Sequence, residues 1–263
     1  MTFNSIEFAI DGPIARITLN RPESANTIGV EMAEELLQAA LRCDGHPDIR
    51  AVILTAKGRF FSGGGDVQSF AAAADQGPEL LRRITAPLHA AVSRFARMNA
   101  PLITAINGTA AGAGMSLALA GDIVIAAESA KFTMAYTKIG MSADGGGSYT
   151  LPRVGGMALA KELMLLNPVL TAADALAKGL ITQVAPDTEL AAKADAVASQ
   201  LAAGPTRAYG EVKRLLADSL SNSLEQQLAL ESRSMSSLAA DTDDAVEGFT
   251  AFSQKRAPAF KGK

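Results

Sequence analysis

Apolar positions in the first three quarters of the chain form two patterns, short runs typical of strands and longer stretches with helical spacing. The strand pattern predicts a hairpin over residues 5–20 that turns at Asp11 and Gly12. A strand is also predicted over 49–55, and the continuous apolar run within it predicts burial on both faces. Further strands are predicted at 101–106, 122–126, 131–134 and 180–184.

Helical spacing predicts helices over 30–43, 80–98 and 156–166, with a loose polar and alanine-rich stretch over 69–79. Thr171 and Asp174 have the spacing of a helix-start box. Strand patterns are absent from residue 188 onward, where four helices are predicted at 188–203, 205–219, 222–239 and 241–256. We therefore expect an α/β core over residues 1–200 and an all-helical region over 201–263. Because such helices cannot bury all their apolar faces alone, the region is expected to pack on the core, on another subunit, or on both.

The composition favours a globular protein over a nucleic-acid-binding or membrane protein. The 263 residues are 48% hydrophobic and 19% charged, and the net charge of −3 gives no general attraction to nucleic acid or anionic lipid. Asn107 and Asp122 interrupt the apolar stretch 101–127, which we interpret as buried strands and a helix. Cys43, the single cysteine, cannot form an intrachain disulfide and is expected to be a small buried residue. With no signal-peptide pattern in the first residues, a cytoplasmic location is expected. Two histidines and one cysteine predict no metal site.

Two glycine-rich turns each follow a strand pattern and are the candidate chemical features. They are FFSGGGDV at 60–67 and INGTAAGAGMSLALAGD at 106–122, the second of which leads into a helix. The first N–H groups of a helix have no partner inside it and attract an oxygen that gains negative charge. Either the turns are plain connectors, or their N–H groups together hold one oxygen. A dinucleotide fingerprint is excluded because Leu117 stands where its third glycine belongs, and neither turn ends in the Gly-Lys-Ser/Thr of a P-loop.

These two turns, with LNRPESAN near the start and EGFTAFSQKRAPAFKG near the end, resemble the crotonase family, the enoyl-CoA hydratase/isomerase superfamily. The similarity extends over nearly the whole chain. It implies a spiral of ββα units with a C-terminal helical region, and homotrimers or dimers of trimers. It also implies acyl-CoA thioester substrates, with coenzyme A as part of the substrate and no separate cofactor.

The resemblance implies that two backbone N–H groups bind the thioester oxygen and stabilise an enolate, and the matching donors are Gly65 and Ala113. Family hydratases also use two glutamates, and the matching positions here are Ser116 and Tyr136. Both carboxylates are missing, so water addition by a carboxylate pair lacks its main groups. Ser116 and Tyr136 are instead expected to line the substrate pocket, as a helix-start hydroxyl and a wall aromatic, and Tyr136 would be a weak base near neutral pH.

A third family position carries an acidic residue, Asp144 in IGMSADGGGSYTLPR. It aligns with the acid of peroxisomal-type 3-enoyl-CoA isomerases, of the ring-epoxide isomerase of phenylacetate degradation, and of 4-chlorobenzoyl-CoA dehalogenase. Asp144 is therefore expected to be the catalytic base; the alternative, a cap on the helix that begins at the glycines, is compatible with that role. His89 matches a dehalogenase histidine. It is either a packing or surface residue or a hydrogen-bonding group near the acyl pocket.

For coenzyme A, the resemblance implies adenine contacts from the loop of Ala25 and from the turn of Gly63 and Asp66. Candidate phosphate contacts are Arg21, Lys255 and Lys263, some of them from a neighbouring subunit. Glu23 stands where a basic residue is common, which argues against a phosphate contact there.

The function expected first is a 3-enoyl-CoA to 2-enoyl-CoA isomerase in which Asp144 moves the proton. The alternatives are a hydratase-like or aromatic-pathway member, such as an epoxide-ring isomerase or a dehalogenase-like enzyme, and a CoA-binding protein with little catalysis.

Overall fold

A computed structural model describes residues 3–263, and strands and helices alternate along them. The strands are β1 Ile6–Asp11, β2 Ile14–Leu19, β3 Ala51–Ala56, β4 Phe60–Ser62, β5 Leu102–Ile106, β6 Thr109–Ala111, β7 Ile123–Ala127, β8 Lys131–Thr133, β9 Leu170–Thr171 and β10 Gln183–Ala185. The helices are α1 Val30–Gly45, α2 Val67–Ala72, α3 Gly77–Arg97, α4 Ala113–Ala118, α5 Gly147–Val154, α6 Gly156–Leu166, α7 Ala172–Ala177, α8 Leu190–Ala202, α9 Thr206–Ser219, α10 Leu224–Asp241 and α11 Asp243–Ser253.

The strands form two sheets, with the orders β1-β2-β3-β5-β7-β10 and β4-β6-β8-β9. β1 and β2 form the predicted antiparallel hairpin, and every later pairing in the larger sheet is parallel. The pairs β3–β4, β5–β6 and β7–β8 each place their first strand in the larger sheet and their second in the smaller one, and helices follow each pair. This repeat confirms the predicted spiral of ββα units.

The core lies around the larger sheet, where β5 is buried along its whole length and β3 along nearly all of it. Phe61 and Phe132, on β4 and β8 of the smaller sheet, and Phe95, on α3, are among the largest side chains that are fully buried. Cys43 is also buried, as predicted. Burial, with a smaller effect from the charge of Asp44, raises the pKa of its thiol to about 12, so the thiol is uncharged near neutral pH.

The prediction of a loose stretch over 69–79 is wrong. Asp66 caps α2 by accepting the backbone N–H of Ser69, and a 3₁₀ turn at Ala74–Gln76 leads directly into α3. The last strand lies at Gln183–Ala185 rather than 180–184, because it pairs with residues 125–127 of β7. The helix-start box of Thr171 and Asp174 is present at α7.

The chain is helical after residue 188, apart from short connections. α8 packs across the strands of the larger sheet, and α9 packs on α3. At the second contact, Lys213 Nζ lies 2.8 Å from Asp122 and donates to the carbonyl groups of Phe95 and Ala100. Within residues 3–263, the helices do not combine the length and the apolar character needed to cross a membrane. The division at residue 200 stays a prediction.

Candidate active site

The two glycine-rich turns lie against each other. Gly64 follows β4 with φ +98°, and a Cβ atom there would lie 2.7 Å from the carbonyl oxygen of Ala111 and 3.4 Å from the nitrogen of Ala113. On its other side the first turn is held by Ile28, whose N–H donates to the Gly64 carbonyl at 2.7 Å. Only a residue without a side chain fits between these backbones, so glycine at 64 determines how closely the turns approach.

Two backbone N–H groups of these turns are free to bind a ligand. Among the hydrogen bonds of the described residues, none is donated by the N–H of Gly65 or of Ala113. Ala113 is the first residue of α4, so its N–H has no acceptor within the helix. Both residues line one cavity of about 290 Å³. The structure thus brings the two predicted donors to a common space.

The walls of this cavity are mainly apolar. Helices α2 and α3 contribute one side, and the segment 135–144 contributes the other. The apolar side chains among its lining are Ile28, Val67, Phe70, Leu81, Ile84, Leu88, Ile139 and Met141. Such surroundings exclude water and strengthen hydrogen bonds to a developing oxyanion.

A single carboxylate, that of Asp144, lines the cavity within the described part of the chain. Its Oδ1 accepts the hydroxyl of Tyr136, and its Oδ2 lies 4.0 Å from His89 Nε2. Asp144 does not cap the following helix, since α5 begins after Gly146 without a side-chain cap. The interpretation of Asp144 as a helix cap is therefore wrong, and Asp144 lines the cavity instead.

The comparison with known proteins decides the family. The family model for enoyl-CoA hydratase/isomerase matches residues 9–263. The chain belongs to the enoyl-CoA hydratase/isomerase family. It is 42% identical to the 1,2-epoxyphenylacetyl-CoA isomerase of Escherichia coli over 259 residues, which cover 97% of each chain.

The family acts on acyl-CoA thioesters. Other relatives of this chain are named for hydratase activity. The chain is 40% identical over 263 residues, all of both proteins, to a Rhodobacter capsulatus protein named "Probable enoyl-CoA hydratase". The crystal structure of an enoyl-CoA hydratase from a Polaromonas species superposes with a TM-score of 0.92 at 35% identity, covering 98% of this chain and 100% of the other. These relatives support the family and leave hydratase and isomerase as separate possibilities.

The two positions that match the hydratase glutamates contact each other in this family member. Ser116 is buried at the centre of α4, and its Oγ lies 3.2 Å from the Tyr136 hydroxyl. Burial, followed by the charge of Asp144, raises the pKa of Tyr136 above its ordinary value of 10.0. The phenol therefore stays protonated and acts as a hydrogen-bond donor, not as a base.

His89 lies behind Asp144 and is not part of the cavity lining. Its Nε2 accepts the backbone N–H of Gly145 at 3.1 Å, so the neutral ring carries its proton on Nδ1. The imidazole faces a second, wider groove of about 850 Å³ between α3, α5 and α9. His89 therefore contacts the turn that carries Asp144 through this hydrogen bond and does not line the cavity.

The residues predicted to contact coenzyme A fall into two groups. Ala25 and Gly63 are adjacent, since the Gly63 N–H donates to the Ala25 carbonyl at 2.8 Å, and the side chain of Asp66 is used to cap α2. Arg21 is near the same loop, and its Nε lies 3.6 Å from Glu23.

The other group lies at the end of the chain. Lys255 follows α11 and Lys263 lies 4.0 Å from Asp48, and the structure brings neither of them to the cavity of this protomer. Their contacts with coenzyme A stay predictions.

Sequence reasoning missed several residues that shape the site. Ser62 is buried, donates to the Asn26 carbonyl at 2.8 Å and accepts the Gly64 N–H at 3.2 Å. Phe70 lies against Gly65, where a Cβ atom would meet its ring at 3.0 Å. The Asp66–Ser69 spacing, a helix-start signal, was the available indication that α2 would bring Phe70 there.

Proposed function

We propose that this protein isomerises 3-enoyl-CoA to 2-enoyl-CoA thioesters. The thioester oxygen accepts the N–H groups of Gly65 and Ala113 while Asp144 removes a proton from the α carbon. The electron pair of that C–H bond forms the enolate. The same carboxyl group then returns the proton to the γ carbon, so the double bond moves and nothing is gained or lost.

The observation that carries this proposal is a single cavity carboxylate facing the same space as two unpaired backbone N–H groups. One carboxylate is sufficient for a proton shift, whereas water addition in family hydratases uses two. Each N–H donor lowers the barrier by about 3–4 kcal/mol, by the measure of other oxyanion holes. Coenzyme A enters as part of the substrate.

The test is a substrate panel with the native protein and Asp144→Asn. Absorbance of the conjugated thioester is expected to rise when 3-enoyl-CoA is added, and Asp144→Asn is expected to reduce that rate by about 10²–10⁴-fold. Circular dichroism checks that the variant is folded. Hydration of 2-enoyl-CoA as the main activity, undiminished in Asp144→Asn, would overturn the proposal.

A second candidate, the isomerisation of a ring epoxide carried on a CoA thioester, is favoured by the 42% identity to the Escherichia coli 1,2-epoxyphenylacetyl-CoA isomerase. The same base and N–H donors would serve it. The panel therefore includes an epoxide-bearing phenylacetyl thioester, and turnover of that compound alone would select this candidate.

We also propose that the protein is a homotrimer or a dimer of trimers. Large apolar side chains are exposed on α6, α9 and α11, among them Leu166 at 75%, Leu220 just after α9 at 70% and Phe252 at 88%. Covering them against other copies removes apolar surface from water. Sedimentation velocity tests this, and a monomer at micromolar concentration would contradict it.

A further inference from the structure

The two oxygens of the Asp144 carboxylate have different surroundings. Oδ1 accepts the Tyr136 hydroxyl, which also lies 3.4 Å from the carbonyl oxygen of Asp144. Oδ2 receives no hydrogen bond from the described residues, and its neighbour His89 Nε2 stands 4.0 Å away. A carboxylate oxygen without a donor is the more basic of the two, so the tyrosine distinguishes the two oxygens.

The direction of the hydrogen bonds follows from the chemistry of the groups. An ionised carboxylate only accepts, and a phenol has one proton to donate. The Tyr136 proton therefore points to Asp144, and Ser116 Oγ, 3.2 Å from the phenolic oxygen, donates to it. Burial keeps the phenol protonated, so the order Ser116 to Tyr136 to Asp144 does not reverse near neutral pH.

We propose that Tyr136 is a positioning residue that orients the Asp144 carboxylate, with Ser116 acting only through Tyr136. This inference rests on the proposed function, in which Asp144 is the base. It gives a positive role to the two positions where family hydratases carry glutamates. In this protein the hydroxyl groups of Ser116 and Tyr136 support one carboxylate, whereas in family hydratases two glutamates at these positions act on water.

The groups that face Asp144 are few. Tyr136 approaches from the 3₁₀ turn Tyr136–Ile139 and His89 from α3. In the described chain, no Lys or Arg nitrogen lies within 4.0 Å of this carboxylate. Within the described chain, Tyr136 and His89 are therefore the titratable groups that face this carboxylate.

The test is a double-mutant cycle with Tyr136→Phe and Ser116→Ala, measured on the thioester whose turnover Asp144→Asn abolishes. Tyr136→Phe keeps the ring and removes only the hydroxyl. It is expected to lower kcat about 10-fold with little change in KM. The acid limb of the kcat profile is expected to move to higher pH, because the charged carboxylate loses a donor.

Ser116→Ala is expected to have a smaller effect in the same direction, and the double variant should equal Tyr136→Phe alone, since Ser116 acts through the phenol. The pH profiles are repeated with His89→Gln present, to exclude titration of the histidine as the cause of a shift. A shift that Tyr136→Phe produces both with and without His89→Gln comes from Asp144. A purely structural role would lower thermal stability without moving the pH profile.

An unchanged kcat and pH profile in Tyr136→Phe, or additive effects of the two substitutions, would overturn the inference. Failure of the proposed function can be distinguished from failure of this inference, because the substrate panel and Asp144→Asn test the proposed function separately. A readout without turnover is the titration of ¹³C-labelled aspartate carboxyls, with the Asp144 signal assigned by Asp144→Asn. That signal is expected to titrate at higher pH in Tyr136→Phe than in the native protein, and identical titrations would also overturn the inference.

Discussion

The Oγ atom of Ser116 lies 3.2 Å from the phenolic oxygen of Tyr136, so two positions that are 20 residues apart in sequence share one hydrogen bond beside Asp144. Ser116 is enclosed by the backbone of residues 145–147, where α5 begins. A Cβ atom at Gly145 would lie 3.1 Å from Ser116 Cβ, and one at Gly147 would lie 2.6 Å from Ser116 Oγ. This packing leaves no space for a larger side chain on α4.

Replacing Ser116 with glutamate, the residue of family hydratases, is therefore expected to destabilise the fold without creating a hydratase. A carboxylate buried there without a partner costs at least about 2 kcal/mol. Thermal unfolding and hydration of 2-enoyl-CoA measure the two effects, with Ser116→Ala as the small-side-chain control. Water addition gained by Ser116→Glu at native stability would contradict the expectation.

Gly64 is expected to be the least replaceable glycine of the site. Alanine there would place its Cβ atom 2.7 Å from the Ala111 carbonyl oxygen at φ +98°, so the turns must separate and the Gly65 and Ala113 N–H groups lose their common target. Loss of one such donor reduces kcat by about 10²–10³-fold. Gly45→Ala is the matched control, because a Cβ atom at Gly45 meets nothing within 4 Å. Equal rates for the two variants would show that the turn spacing is irrelevant.

The glycine pattern and the apolar runs were sufficient to predict both turns and the helices after residue 188, whereas the ββα repeat was expected from the family resemblance alone. They failed at α2, because VQSFAA lacks a clear apolar face and depends on the cap supplied by Asp66. Periodicity measures burial along an element, so a short helix that buries little is not detected by it.

The contact between Tyr136 and Asp144 could not be predicted from the sequence. Both lie in a loop that begins with Ala135 at φ +54° and passes Gly140 at φ +72°. Conformations of this kind depend on tertiary packing and leave no spacing signal. The resemblance identified the missing glutamates, but only the structure places Tyr136 in contact with Asp144 and Ser116 in contact with Tyr136.

His89 is expected to matter through Gly145, whose buried N–H it accepts at 3.1 Å. His89→Ala leaves that N–H without a partner, at a cost of about 1–3 kcal/mol, and loosens the turn that carries Asp144. We expect kcat to fall more than KM rises, with partial recovery in His89→Gln, which can still accept a hydrogen bond. His46→Ala, at the exposed second histidine, is the control. Native values of kcat and KM in His89→Ala would show that His89 is a surface residue with no effect on catalysis.

The Lys213–Asp122 pair is expected to hold α9 on the core. Lys213 is 9% exposed and also donates to two carbonyl groups. Lys213→Met leaves the Asp122 carboxylate without its cation, which costs about 3 kcal/mol by the behaviour of buried pairs. Chemical denaturation measures the loss, and Lys193→Met, at an exposed lysine, is the control. Equal unfolding free energies for the two variants would contradict the expectation.

The loss in Lys213→Met is also expected to depend on pH. Burial raises the pKa of Asp122 above its ordinary value, and Lys213 is the main opposing influence, so removing the lysine raises it further. A carboxyl group whose pKa is higher in the folded than in the unfolded protein favours folding when protonated, and that contribution disappears as the pH rises through the folded pKa. The deficit of Lys213→Met should therefore be largest near neutral pH and shrink as the solution is made acidic. A deficit that stays constant with pH would mean that the lost packing of the lysine chain, and not the unpaired charge, accounts for the effect.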